Sequence, residues 1–126
     1  MFYECRNLRK VEMPKELTRI ETDAFCYCHN LSEMILPEKV TYIGEQAFRQ
    51  CVSLTSITLP DDITFIGDKA FYYCPELILT NVELPNGITS IGDEAFYYCE
   101  NLTNIVLPEN ISYIGKGAFA ESGLVN

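Results

Sequence analysis

Apolar positions recur along this chain at a long fixed interval, not at the short period of one helix or one strand. Residues 51–73 show the unit most cleanly: CVSLTSITLPDDITFIGDKAFYY. Eight of its positions are small or apolar in nearly every copy. Cys5, Cys28, Cys51 and Cys74 stand 23 residues apart, and Cys99 follows Cys74 by 25. Phe2, Phe25, Phe48, Phe71, Phe96 and Phe119 keep the same register, as do Pro14, Pro37, Pro60, Pro85 and Pro108. Gly44, Gly67, Gly92 and Gly115 form a further column, with Glu21 in its first place. A single copy cannot bury eight inward side chains. Stacked copies can, because each column then packs on its own image above and below. At a parallel strand spacing of roughly 4.8 Å, about five coils make a body about 24 Å long.

Local residue choice predicts the course of each coil. Ile57-Thr58-Leu59 alternates apolar and polar and reads as a short strand with Thr58 outward. Pro60 has no N–H for a ladder and ends that strand. Ile63-Thr64-Phe65-Ile66 reads as a second extended piece. Gly67 permits a turn, and Asp68 is placed to cap one helical turn over residues 69–73. The acids Glu45 and Asp93 fit the same first-turn preference. The two extra residues of the fourth interval are placed within 75–78, where they bulge without disturbing the columns. Leu8, Leu31, Leu54, Leu79 and Leu102 are expected to be buried. Lys10, Glu33, Ser56, Asn81 and Asn104 are expected to form one outward column on the strand face. Glu12, Ile35, Thr58, Glu83 and Val106 form the next.

The register Leu54-x-x-Ile57-x-Leu59-Pro60, continued by Ile66-Gly67-x-x-Ala70-Phe71-x-x-Cys74, resembles the BspA-like leucine-rich repeats of bacterial and some protist surface proteins. The resemblance covers nearly the whole chain. The commoner leucine-rich pattern has Asn or Cys shortly after the strand, and this chain has variable polar residues there. The expected fold class is α/β. It is a right-handed leucine-rich-repeat solenoid forming a single array over residues 1–126. Each repeat is expected to hold one short parallel strand, with short helical turns and extended segments on the other faces. The resemblance implies an extracellular or cell-surface location and a role in adhesion or host contact. It supplies no catalytic residue and no defined ligand contact.

Charge narrows the classes further. The chain carries 18 acidic and 9 basic side chains, a formal net charge of -9. That sign argues against nucleic acid and anionic membrane surfaces, which call for a basic stripe. No apolar run approaches the length that spans a bilayer, so no membrane insertion by this segment is expected. The basic residues concentrate at the start, with Arg6, Arg9, Lys10, Lys15 and Arg19 in the first 20. The chain reads as beginning and stopping inside repeats. Self-association through uncapped coil ends, or fraying of those ends, is therefore expected.

Candidate chemistry is sparse. Five of the six cysteines occupy one column, which reads as a row of buried free thiols. Cys26 lies outside it and is expected to react first. Cys26-Tyr27-Cys28-His29 looks metal-like, but His29 is the only histidine and no second cluster is near, so neither metal nor cofactor is expected. Asp61-Asp62, with Glu38 and Glu109 in matching columns, could suit calcium, yet Lys39, Asn86 and Gly87 share those columns and point to a solvated edge. Asn30, Asn101 and Asn110 open sequons. No nucleophile–base constellation or phosphate loop is present, so the chain is not expected to be an enzyme. Tyrosines remain. Tyr42, Phe65 and Tyr113 share one variable column. Tyr72, Tyr73, Tyr97 and Tyr98 fall side by side in adjacent repeats and are the candidate binding residues, since interfaces favour large rings with a polar end. The alternative is that these rings only cover the solenoid edge. Three roles are thus weighed: a protein-binding segment, which leads; a spacer with no ligand of its own; and, last, an enzyme.

Overall fold

The computed structural model describes residues 4–79 and 83–124. Phe2, Asn81 and the last two residues, on which parts of the column and end-association expectations rest, lie outside the described residues. Two parallel sheets run along the stack. Strands β1 (Arg19–Ile20), β3 (Tyr42–Ile43), β5 (Phe65–Ile66), β7 (Ser90–Ile91) and β8 (Tyr113–Ile114) form a five-stranded sheet in that order. Strands β2 (Glu33–Ile35), β4 (Ser56–Thr58) and β6 (Ile78–Leu79) form a three-stranded sheet. Ile20, Ile43, Ile66, Ile91 and Ile114 pair in succession, as identical residues must when the coils stack in register. The three middle repeats thus supply two strands each, not the one expected. The segment read only as extended pairs too, and builds the larger sheet.

The helical turns are absent, and with them the α/β class: among the described residues there is no helix. Residues 67–74 instead make successive β-turns. Ala70 N bonds Gly67 O at 3.2 Å, Tyr72 N bonds Lys69 O at 3.2 Å and Leu77 N bonds Cys74 O at 3.1 Å. Lys69 and Tyr73 have φ of 56° and 57°. A left-handed residue every fourth position cannot propagate an α-helix. It turns the intervening N–H groups along the solenoid axis. Lys69, Phe71 and Tyr73 accordingly donate to the carbonyls of Asp93, Ala95 and Tyr97 in the next coil, at 2.7–2.9 Å. Gln46, Phe48 and Gln50 do the same to Asp68, Ala70 and Tyr72. Asp68 caps no helix. Its Oδ1 accepts from Asp93 N at 2.8 Å, and Asp93 Oδ1 accepts from Lys116 N at 2.9 Å.

The extra residues also sit elsewhere than expected. Leu77, not Leu79, follows Cys74 as Leu54 follows Cys51, because the same tight turn fixes both: Leu77 N to Cys74 O and Leu54 N to Cys51 O are each 3.1 Å. Leu79 pairs with Ile57 and is buried in that column instead. Register returns at Glu83, which bridges Val106. The slack therefore lies between Leu79 and Glu83. Leu31, Leu54 and Leu102 are buried as expected, while Leu8 is half-buried.

The core is a set of ladders. Phe25, Phe48, Phe71, Phe96 and Phe119 stack face to face with centroids 5.1–5.3 Å apart and planes within 10°. Beside them run the thiols. Cys51, Cys74 and Cys99 Sγ donate to the carbonyls of Phe25, Phe48 and Phe71 at 3.1–3.2 Å. All six cysteines are free. Cys26 is not the accessible one. It is 2% exposed and burial pushes its thiol up to about 11, whereas Cys5 is half-exposed. The glycine column exists for contact. A Cβ on Gly92 would lie 2.5 Å from Asp68 N and 2.6 Å from Gly67 C, so only glycine lets one turn seat on the last.

Candidate interaction surface

Except after Phe25, where Cys26 is buried, each turn projects two consecutive side chains away from the core after its ladder phenylalanine. Positive φ at Tyr73 (57°) and Tyr98 (60°) reverses the chain there and keeps both rings outside. Where those side chains are tyrosines, the coil spacing stacks them. Tyr72 and Tyr97 lie 4.9 Å apart at 13°, and Tyr73 and Tyr98 lie 4.6 Å apart at 3°. Tyr97 and Tyr98 meet at 6.4 Å and 37°. The structure therefore brings all four expected residues into one patch. Tyr73 is 38% exposed and the other three are half-buried. Glu100, then Tyr73, holds the Tyr98 hydroxyl above its usual pKa, which marks an acidic border.

Cations border the patch on its other side. The Arg49 guanidinium lies 5.0 Å from the Tyr72 ring centre and 5.7 Å from that of Tyr27, and Lys69 Nζ lies 5.9 Å from Tyr72. A second aromatic row sits on the five-stranded sheet. There Tyr42 and Phe65 stack at 4.9 Å, and Arg19 covers Tyr42 at 3.9 Å. Tyr113, in the same row, donates its hydroxyl to Asp93 Oδ1 at 2.9 Å, and that bond raises its pKa.

The strand face differs from its sequence reading in one place. Because the extra residues come after Leu79, Ile78, not Asn81, lies beside Ser56. Ile78 is 55% exposed, Ile35 74% and Val106 50%, so this face carries more apolar surface than the column reading gave it. The spacing Cys74-x-x-Leu77, matched to Cys51-x-x-Leu54, signals that Leu77 precedes the extra residues, but it points to Leu79 beside Ser56; the pairing of Ile78 there, 22 residues on, had no signal in the spacing. An open groove of about 700 Å³ separates residues 10–15 from residues 33–38, crossed by a Lys10–Glu33 pair at 3.6 Å.

The metal-like segment is spread out by the fold. Cys28 points into the thiol row, and His29 Nδ1 accepts from Arg6 Nη1 at 2.8 Å. Among the described residues no three His, Cys, Asp or Glu side chains converge as a metal site. Asp61, Asp62, Glu38 and Glu109 are all exposed after the proline column, with Asn110 in the Asp62 column; Asn30 and Asn101 are exposed after the cysteine column. Among the described residues no helix is long and apolar enough to cross a membrane.

Residues 1–126 match the family model described as BspA type Leucine rich repeat region, in six copies. The chain belongs to the BspA-type leucine-rich repeat family. Solved structures of similar proteins agree with this. A leucine-rich repeat protein of T. pallidum is 31% identical with a TM-score of 0.80, matched over 93% of this chain and 54% of that one. A leucine-rich repeat protein from Bacteroides ovatus is 27% identical with a TM-score of 0.78, over 98% and 37%. A leucine-rich cell surface protein from Faecalibacterium prausnitzii is 27% identical with a TM-score of 0.68, over 94% and 40%. This BspA-type chain thus spans about half, or less, of the length of the proteins it is similar to. No functionally curated protein matches it. Leucine-rich repeat proteins are generally scaffolds for protein interaction.

Proposed function

We propose that this chain is a protein-binding segment of a cell-surface or secreted protein, and that it grips its partner through Tyr72, Tyr73, Tyr97 and Tyr98. One observation carries the reading. Two stacked tyrosine pairs form a patch on the outside of a turn whose core beneath is already complete in Ala70, Phe71, Ala95 and Phe96, each fully buried. Rings in such a place cost little entropy to hold and offer large area with a hydroxyl at the edge, as interface hot spots do. The cell-surface protein from Faecalibacterium prausnitzii supports the location. Replacing all four tyrosines with serine should abolish capture of a partner in a pull-down from serum and extracellular-matrix proteins. The melting temperature should fall by about 5–15 °C without loss of the fold, since the two stacked pairs contribute about 0.5–1.5 kcal/mol each beyond their buried area. A variant that unfolds, or one that binds as before, would instead mark the rings as edge cover on a spacer.

A further inference from the structure

The row that holds Tyr72 and Tyr97 is not aromatic throughout. Among the described residues its members in successive repeats are Cys26, Arg49, Tyr72, Tyr97 and Ala120. The arginine shows what this row does with a cation. Arg49 lies between the faces of Tyr72 and Tyr27, at 5.0 and 5.7 Å, and its Nη1 donates to Gln46 Oε1. Its Nε is buried and has no hydrogen-bond partner among the described residues. Ring faces and one oxygen acceptor therefore hold this guanidinium. No carboxylate is paired with it among the described residues.

At the other end of the row the corresponding place is open. One face of Tyr97 rests on Tyr72. Beyond its other face stand Ala120 and Gly117, too small to cover a ring. A hollow of about 330 Å³ opens there, lined by Asp93, Glu94, Tyr97, Lys116, Gly117 and Ala120. Glu94 occupies the column position of Gln46 one repeat pair later, with a carboxylate in place of the amide. Its Cγ lies 3.5 Å from where a Cβ on Gly117 would sit, so the side chain runs along the hollow. The remaining charges are accounted for. Asp93 Oδ1 already accepts from Tyr113 Oη and Lys116 N, and Glu94 is reached by Lys69 Nζ at the outer limit of an ion pair, 3.9 Å. Lys116 is the one basic side chain of the lining, against two carboxylates.

We propose that this hollow seats an arginine side chain of the protein partner. The guanidinium lies flat on the free face of Tyr97 and donates to the Glu94 carboxylate. Arginine is preferred over lysine because its planar group lies flat on a ring while its edge donates in a fixed fork, whereas an ammonium meets the ring only as a compact, strongly hydrated point charge. The inference deepens the tyrosine-patch reading, resting on it for the partner being a protein.

The test uses the full chain and two short probes: an acetylated, amidated Gly-Arg-Gly peptide and its neutral citrulline counterpart. Titration followed by NMR at the Tyr97 ring protons should show saturable shifts with the arginine probe and none with the citrulline one. Tyr97→Leu should weaken binding roughly fivefold, and Glu94→Gln about threefold. Ala120→Arg supplies a guanidinium from the chain itself and should abolish binding. Equal binding of the two probes, no shift at Tyr97, or undiminished affinity in Glu94→Gln and Ala120→Arg would overturn the proposal. The two readings fail separately. A partner lost by the four-serine variant but kept by Ala120→Arg leaves the patch and removes the seat. A seat that binds the probe while partner capture ignores the tyrosines does the reverse.

Discussion

Two aromatic stacks run along this solenoid with nearly the same geometry and opposite fates. The phenylalanines stack at 5.1–5.3 Å and the tyrosine pairs at 4.6 and 4.9 Å. Both spacings are the repeat spacing of parallel chains, so the coil sets them and the ring type does not. Burial separates the two. Phe25, Phe48, Phe71 and Phe96 are at most 2% exposed, and the column has a ring in every repeat. The tyrosine rows hold Cys26, Arg49 and Ala120, or Tyr27, Gln50 and Glu121, in the other repeats. A missing rung inside leaves a void between two coils. A missing rung outside leaves only water. The inner stack is therefore fixed by folding, and the outer one is free to be shaped by a partner.

The comparison breaks most visibly at the inner rung. Phe71→Ala should cost about 3–5 kcal/mol, because the rings of Phe48 and Phe96 cannot close the gap without pulling the coils out of register. A chemical denaturation series checks this. A loss under about 1 kcal/mol would show that the inner stack is as optional as the outer one.

Alkali should sharpen the contrast next. Burial raises the thiols of Cys51 and Cys74, and lifts that of Cys99 to about 12. The folded state therefore holds these protons after the unfolded chain has released its own near pH 9. Stability should be level below that pH and fall above it, by up to about 1.4 kcal/mol per pH unit for each thiol, until the folded values are passed. Urea midpoints from pH 7 to 11 would show the slope. Replacing Cys51, Cys74 and Cys99 with alanine should flatten it, at the cost of packing. The raised hydroxyls of the half-buried Tyr98 and the exposed Tyr113 titrate in the same direction, so a slope that survives the alanine variant would shift its origin to the outer rows.

The smallest expected effect lies where both stacks share a hinge. Gly92→Ala forces a methyl against the backbone of Asp68 and Gly67, which should cost about 1–3 kcal/mol by spreading two turns. The spread should alter the Tyr73–Tyr98 pair as well as Phe71–Phe96. Near-ultraviolet circular dichroism of the tyrosines would report it. An unchanged tyrosine signal in a destabilised variant would mean that the outer stack does not depend on the inner register.

Much of this arrangement was legible in the sequence because the ladders repeat one residue type. The phenylalanine, cysteine and glycine columns, and the meeting of the four tyrosines, followed from spacing alone. The turns did not. Asp68 followed by small and apolar residues reads as a helix start, and the left-handed positions are filled by Lys69, Tyr73, Glu94 and Tyr98, not by the glycine or asparagine that would announce them. Only Gly117 gives that signal, in one repeat. Cys26 was misplaced for a related reason. It stands in a variable row, yet it is buried. The hollow beside Tyr97 was not legible at all, because it depends on which side chains of adjacent coils are too short to meet.

The bonds between coils on the turn face all run along the axis, from Gln46, Phe48 and Gln50 to one neighbour and from Lys69, Phe71 and Tyr73 to the next. Mechanically, that makes the coil a unit of give. A pull on the two ends passes through every interface, where several parallel bonds share it, but at the end coil it falls on the bonds one after another, so that coil peels first. Each coil that lets go pays out about 80 Å of chain, its 23 residues at 3.3–3.6 Å apiece, before the next is loaded. A stack of such coils yields stepwise, so it lengthens under load while the coils not yet reached stay folded.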